Sequence, residues 1–211
     1  MKKNQRLARR LPMQARALRT RSLIFETAVQ ILEHEGEGAL TTNRIAELSG
    51  FSIGTVYQYF TDKHDILASL IAAERSERLA RIAAELARPR RHDDAADLPA
   101  RVRAVVRIVL DAFAGRHKAR RILLARALRT SAGEVMKAPL AEIAHMLRTF
   151  ADGPEQSRPL TAVEALVLVE AIAGAVRAAV LSDPRLLKSA AFEQALVDLA
   201  IGFFRQRRSA P

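Results

Sequence analysis

The chain has 211 residues, of which 49% are hydrophobic, so a packed core is expected rather than a disordered chain. The absence of cysteine excludes disulfide bonds and thiolate chemistry and is typical of a reducing compartment. The formal net charge of +11 is unevenly spread, because residues 1–21 hold eight Lys or Arg side chains and no acidic one.

The first 18 residues are predicted to form a basic N-terminal arm. A run of positive charge ahead of a near-neutral body indicates contact with a polyphosphate such as DNA, and a solvated tail that only aids solubility is the alternative. No apolar stretch in this arm is long enough for a signal peptide. We therefore expect a cytoplasmic protein.

Residues 19–66 predict a small domain of three helices. An amphipathic helix from about residue 22 places Leu23, Ile24, Ala28, Ile31 and Leu32 on one face and ends at two glycines, 36 and 38. The segment "TTNRIAELSG" predicts a second helix with Thr42 as its N-cap and Gly50 at its end. Ser52 is the predicted N-cap of a third helix that ends near Tyr59. Two short helices joined by a glycine-containing turn form a helix-turn-helix.

The third helix carries the side chains expected at a nucleic-acid surface. Its start and outer side present hydroxyl groups, which hydrogen-bond phosphate oxygens, and Gln58, which matches the edge of an adenine. Tyr57 and Tyr59 supply contact area with a polar tip, and Phe60 is predicted to anchor the end of the helix in the core. A helical corner that packs aromatic rings and binds no ligand is the alternative.

Residues 67–211 predict a larger helical domain, because apolar residues recur at intervals of three and four. The fold class is therefore all-α. Asp62 is the predicted N-cap of a long helix over 63–87, and a charged loop follows at 88–99. Further helices are predicted at about 100–115, 117–131, 134–151, 161–182 and 190–207, with a loop at 152–159. Thr161 and Glu164 form a predicted capping box.

The predicted helix 161–182 is apolar on almost every side, so we expect it to be buried rather than to span a membrane. Together with helix 190–207 it is predicted to form a four-helix interface in a homodimer, and the core of a monomer is the alternative. Glu170 and Arg177 lie seven residues apart on one face. They are interpreted as charges that pair with each other's copies across the homodimer, or Glu170 faces a cationic ligand.

Residues 20–67 resemble the DNA-binding domain of the tetracycline-repressor (TetR) family of bacterial transcription regulators. The resemblance rests on the string "ILEHEGEGALTTNRIAELSGFSIGTVYQYFTDKHDIL", with its paired threonines, Gly50 and the sequence "GTVYQYF". It implies a homodimer of about nine helices per chain that binds a palindromic double-stranded operator through three N-terminal helices. The implied DNA-binding residues are Thr42, Asn43, Arg44, Ser52, Ile53, Gly54, Thr55, Tyr57, Gln58, Tyr59 and Lys63.

One feature departs from the expectation for a DNA-binding module. Residues 22–78 contain four Lys or Arg residues against nine Asp or Glu residues. The basic arm is therefore expected to supply much of the attraction to DNA.

The resemblance also implies a small-molecule effector that binds the larger domain and releases DNA. The candidate effector pocket is lined by Val105, Val109, Phe113, Glu170 and Arg177. His117 and His145 lack partners at metal-ligand spacing and are expected at the surface or in loops, and no metal, cofactor or catalytic residue is predicted. A DNA-binding protein that acts through protein partners without an effector, and a helical enzyme or carrier, are the alternative functions.

Overall fold

A computed structural model of the protein describes residues 3–88, 97–113, 115–130, 142–147 and 160–206. These residues form nine α-helices and two short 3₁₀ helices without a strand, so the all-α prediction is confirmed. The chain divides into two compact units, Met1–Ile71 and Ala72–Pro211. The predicted boundary lay at residue 66.

The first unit contains α1 (Lys3–His34), a 3₁₀ helix (Glu37–Ala39), α2 (Thr42–Ser49) and α3 (Ile53–Tyr59). The helix α4 (Lys63–Ala87) begins in this unit and ends in the second. α1 begins far upstream of residue 22, so the basic segment is helical from Lys3. This segment lacks an apolar stripe, but it consists largely of Arg, Leu, Ala and Gln, which favour helices by intrinsic propensity.

One face of α1 supplies much of the core of the first unit. The predicted stripe is correct for Ile24, Ala28, Ile31 and Leu32, which are fully buried, but wrong for Leu23, which is 51% exposed. Thr27 is buried instead. Its hydroxyl is satisfied there because it donates to the carbonyl of Leu23 at 2.8 Å. The opposite side of this core is made by α2, α3 and α4 through Ile45, Val56, Phe60, Ile66, Leu67 and Leu70.

Phe60 anchors the end of α3 to α1, as predicted. Its ring is 2% exposed and lies 5.5 Å from the ring of Phe25. The guanidinium of Arg21 lies over both rings, 5.6 Å from the centroid of Phe60 and 5.9 Å from that of Phe25. Arg21 is therefore engaged within the fold through cation–π contacts, although the sequence placed it in the basic run.

The second unit contains the remainder of α4, then α5 (Asp97–Asp111), α6 (His117–Thr130), α7 (residues 142–147), α8 (Ala162–Ser182) and α9 (Ala190–Gln206). An unpredicted 3₁₀ helix, Pro184–Lys188, joins α8 to α9. The predicted loop at 152–159, most of the loop at 88–99 and much of the helix at 134–151 lie outside the described residues. The core of this unit is built mainly from α5, α8 and α9, including Val102, Val106, Leu110, Leu168, Val176, Leu196, Val197 and Phe204.

Two sets of arginine contacts join helices of this unit, and the sequence indicated neither of them. Arg101 is 2% exposed and donates to the carbonyls of Leu86 at 2.7 Å and Glu85 at 3.3 Å, so a cation satisfies the C-terminal end of α4. Arg103 and Arg107 on α5 both bind Glu193 on α9, at 2.8 and 3.1 Å. Hydrogen bonds from these two guanidiniums lower the pKa of the Glu193 carboxyl.

α8 begins with the predicted capping box, in which Thr161 and Glu164 each bind the other's backbone N–H. By length and composition alone α8 would be able to cross a membrane, and 33% of its most apolar window is buried within the chain. Its buried face packs into the core of the second unit through Ala165, Leu168, Val169, Val176, Ala179 and Val180.

Gly50→Ala is expected to lower the free energy of unfolding by about 1 kcal/mol, because Gly50 has a φ of 72°, where a Cβ is strained. No atom lies within 4 Å of the added Cβ, so a steric clash is not part of this cost. Gly38→Ala is the matched control, since Gly38 has equally open surroundings and no positive φ. Chemical denaturation measures both variants, and equal stabilities would contradict the role given to the Gly50 backbone.

Candidate nucleic-acid interface

The turn between α2 and α3 is fixed by local hydrogen bonds. Thr41, rather than the predicted Thr42, is the N-cap of α2, and its hydroxyl accepts from the N–H of Arg44 at 3.0 Å. α2 ends at Gly50, in the left-handed region as predicted. Ser52 is the N-cap of α3, and its hydroxyl accepts from the N–H of Thr55 at 3.1 Å. These residues form the predicted helix-turn-helix.

A hydroxyl pair joins the two helices on their outer side. Tyr57 on α3 is 55% exposed, and its hydroxyl lies 3.3 Å from that of Thr42, the first residue of α2. The predicted contact residues of both helices therefore belong to one surface. The exposed members are Asn43, Ser52, Ile53, Gly54, Tyr57 and Gln58, and the partly exposed members are Thr42, Arg44, Thr55, Tyr59 and Lys63.

Arg44 differs from the other members because it is held by carboxylates of its own unit. Its guanidinium binds Glu35 at 3.0 and 3.2 Å and Glu47 at 2.9 Å. The hydrogen bonds that Arg44 donates to Glu35 and, to a lesser extent, to Glu47 raise the pKa of its guanidinium. A phosphate that binds Arg44 would have to compete with the carboxylates of Glu35 and Glu47 for the guanidinium. The predicted role of Arg44 in DNA binding stays a prediction.

Gly54 lies at the exposed start of α3, and nothing inside the protein requires a glycine there. A Cβ built on Gly54 would lie 3.8 Å from the Ser52 hydroxyl, which is an ordinary van der Waals contact. Gly54 has no positive φ. The absence of a side chain leaves room for a close approach from outside, and the predicted contact of Gly54 with a nucleic-acid backbone stays a prediction.

Lys63 is the first residue of α4 and lies just beyond the anchored Phe60. As predicted, Asp62 is the N-cap of α4, and its carboxylate accepts from the N–H of His64 at 2.7 Å and of Asp65 at 2.8 Å. Asp65 in turn accepts from the N–H of Thr61 at 3.0 Å. These bonds fix the backbone from which the Lys63 side chain extends.

Several acidic side chains of this unit are engaged in internal contacts, of which those with Arg44 offset negative charge. Glu35 and Glu47 are paired with Arg44, and Asp62 and Asp65 are engaged at the start of α4. On α1, Arg16 and Arg19 are exposed, so positive charge is available there. The described surface therefore has exposed polar side chains on α2 and α3 and exposed cations on α1.

The candidate effector residues separate into two groups. Val109 and Phe113 pack against the core of the second unit, and Val105 is partly buried. Glu170 and Arg177 bind each other along α8 at 3.2 Å, so their pairing lies within one helix, whereas the sequence predicted pairing between the two copies of a dimer. No hydrogen bond or ion pair between the two groups is found in the described part of the chain.

The histidines are placed differently. His145 is exposed, as predicted, and His117 is partly exposed at the start of α6, with its ring Nδ1 shielded from solvent. No group of three His, Asp or Glu side chains within the described residues is arranged to hold a metal ion.

Comparison with known proteins gives one family match. Residues 24–70 match the family model described as bacterial regulatory proteins, tetR family. This range contains the helix-turn-helix and all of the predicted DNA-binding residues. No curated protein matches the chain.

Solved structures share the fold over most of the chain. A putative TetR-family transcriptional regulator from Mesorhizobium loti has a TM-score of 0.68 at 18% identity, over 90% of this chain and 98% of its own. The transcriptional regulator FadR from Bacillus subtilis, in complex with stearoyl-CoA, has a TM-score of 0.60 at 20% identity, over 89% and 97%. A complex of SmeT with triclosan has a TM-score of 0.60 at 17% identity, over 86% and 90%.

Gly54→Ala is expected to keep or slightly raise stability, but to weaken DNA binding by about tenfold, or ~1.4 kcal/mol, because the added methyl holds the backbone away from the phosphates. Thermal unfolding and titration of labelled duplex DNA measure the two effects separately. Gly38→Ala, outside the helix-turn-helix, is the control. Unchanged DNA affinity in Gly54→Ala would remove Gly54 from the interface.

Proposed function

We propose that this member of the TetR family of bacterial regulatory proteins is a homodimeric repressor that a small molecule releases from a palindromic operator. The observation that carries the proposal is the surface formed by α2 and α3 within the family match. It combines exposed hydroxyls, an exposed Gln58 and a glycine without an internal role. Acting on transcription, the protein would work in the bacterial cytoplasm.

In this proposal the side chains of the surface have different tasks. The hydroxyls of Thr42, Ser52, Thr55 and Tyr57 bind phosphate oxygens and set the position of α3 in the major groove. Gln58, which is exposed on the same helix, reads the edge of a base. The exposed cations of α1, together with the basic residues that precede them in the sequence, add attraction that does not depend on base sequence.

The homodimer is supported by the apolar face that α8 leaves uncovered. Val163 is 70% exposed and Val167 is 53% exposed, and Leu166 and Leu181 are also exposed along this helix. On α9, Leu199 is exposed between the small residues Ala195 and Gly202, which are exposed too. This largely apolar face, on which the Glu170–Arg177 ion pair also lies, fits a second copy of the same helices, so α8 and α9 would form a four-helix interface around a twofold axis.

Effector binding is supported by the family and by two structural neighbours, of which FadR binds stearoyl-CoA and SmeT binds triclosan. We place the effector in the second unit, with Val105, Val109, Phe113 and α8 as its lining. α4 runs without a break from the first unit into the second, so it is the element that would transmit the change. The effector must bind the DNA-incompetent state more tightly, and DNA must then weaken effector binding by the same factor.

Two other functions remain distinguishable from this one. A regulator without an effector would bind the operator but show no such coupling to any small molecule. A helical enzyme or carrier would fail to bind duplex DNA at low salt. The α2–α3 surface favours DNA binding over both a carrier and an enzyme.

Substitutions at two neighbouring positions of α3 are expected to have different effects on DNA binding, one on affinity and the other on sequence preference. Tyr57→Ala, like Lys63→Ala, should weaken binding to every duplex, because these residues are assigned to phosphates. Gln58→Ala should instead change the preference among operator variants by ~1–3 kcal/mol at one base pair. Selection from a randomised duplex library measures both, and an unchanged preference in Gln58→Ala would refute the base contact.

Deleting residues 1–15 is expected to reduce DNA affinity and its dependence on salt. The segment holds Lys2, Lys3, Arg6, Arg9 and Arg10, and each phosphate that is neutralised contributes roughly 0.9 to the slope of log affinity against log salt. A chain with Gln at these five positions separates charge from length. An unchanged slope in both variants would show that this segment does not contact DNA.

A further inference from the structure

A cluster of cations lies where α4 meets α6 in the second unit. Arg120, in the first turn of α6, forms an ion pair with Glu74 on α4. Arg78 lies one turn after Glu74 on the same helix, and its guanidinium is 5.2 Å from the ring centroid of Phe113. Among the described residues of this cluster, Glu74 is the only acid against two guanidiniums, which leaves net positive charge.

The donors of this cluster are only partly used by the protein. No hydrogen bond or ion pair from a described residue ends on the Arg78 guanidinium, which has its cation–π contact alone. The Nε of Arg120 and the Nδ1 of His117 are shielded from solvent and have no hydrogen-bond partner in the described part of the chain. The Arg120 Nε is always a donor, and because a buried donor without a partner is costly, a group that accepts hydrogen bonds is expected to fill this place.

The electrostatic surroundings favour an anion as that group. Burial lowers the pKa of Arg78, Glu74 opposes this effect, and the charges of Arg120 and Arg75 lower the pKa further. His117 and Arg120 also lie in the first turn of the 14-residue helix α6, whose dipole is positive at this end. Glu74 supplies one negative charge beside two guanidiniums. A bound oxyanion would supply a second negative charge and further hydrogen-bond acceptors.

The cluster is continuous with apolar surface. Phe113 packs against the core of the second unit, as does Val109 one turn before it on α5. A ligand whose charged end meets Arg78 therefore finds an aromatic ring and aliphatic side chains beside it. This arrangement fits a molecule with one anionic end and an apolar body.

We propose that Arg78 and Arg120, with Phe113 beside them, bind the oxyanion headgroup of an apolar effector, a carboxylate or a phosphate. The inference rests on the effector function proposed above and specifies the chemical class of that effector. It also gives Arg78 and Arg120 a role that neither sequence pattern nor family resemblance indicated.

The test uses the full chain and three eight-carbon probes: octanoate, octyl phosphate and octanol. Calorimetry is expected to show that one or both anions bind at least about tenfold more tightly than octanol, because charge-assisted hydrogen bonds are lost with the alcohol. The tighter of the two anions identifies the headgroup. Equal affinity for octanol, or no binding of either anion, would overturn the proposal.

Variants of single charges make the test specific. Arg78→Gln and Arg120→Gln should each reduce the affinity for the tighter anion by about tenfold and leave octanol unaffected. Arg81→Gln and Arg121→Gln remove exposed cations from the same two helices and should change nothing. Glu74→Gln should raise the affinity, because it removes the competing carboxylate, and a loss of folding cannot imitate that gain. Unchanged affinity in Arg78→Gln would overturn the assignment.

Operator binding is measured separately on the same variants. Anion binding that depends on Arg78 but leaves operator affinity unchanged would support the headgroup site and contradict ligand-controlled repression. Release of the operator by an anion in Arg78→Gln, as in the unaltered chain, would support the regulation and contradict the headgroup site.

Discussion

The orientation of α3 depends on the way in which its two ends are held. At its start, the left-handed Gly50 and the Ser52 cap fix the turn from α2. At its end, Phe60 packs against Phe25 beneath the guanidinium of Arg21. With both ends fixed, Tyr57 meets Thr42 across the two helices, and Gln58 and Gly54 are left exposed. The surface that we assign to DNA is therefore a consequence of packing on its other side.

Many of the charged side chains in the described part of the chain have partners within the protein, and these contacts serve different purposes in the two units. In the first, most acids near α2 and α4 are occupied by caps or by Arg44, so that the exposed groups of α2 and α3 are largely neutral and polar. In the second, Arg101 and the Arg103–Arg107–Glu193 contacts tie helices together. Arg78 and Arg120 are arranged differently, because the carboxylate beside them, Glu74, is paired with Arg120, and Arg78 has its cation–π contact alone among the described residues.

The local features of this fold could be predicted from the sequence, because they depend on neighbouring residues. The Gly50 turn, the Ser52 and Asp62 caps and the Thr161–Glu164 capping box each involve residues within four positions. Errors appeared where the signal was weak or ambiguous. Thr41 and Thr42 are equally good caps by type, and the basic start of α1 has no apolar stripe to reveal its helix.

The contacts missing from the sequence prediction join residues that are distant along the chain. Arg44 reaches back nine residues to Glu35, Arg101 reaches back to the end of α4, and Arg103 binds Glu193 on α9. No spacing rule specifies such partners. For the same reason the predicted effector pocket lacked Arg78 and Arg120. Apolar periodicity indicated Val109 and Phe113, whereas the approach of the two arginines depends on how α4 and α6 pack.

The central claim is that a symmetric dimer reads DNA through the α2–α3 surface, and footprinting on a duplex selected from a random library tests it most directly. The account predicts two protected half-sites related by twofold symmetry, with centres about 34–36 Å apart or modestly more, and two chains bound to each duplex. Protection of one asymmetric half-site by a single chain would contradict it.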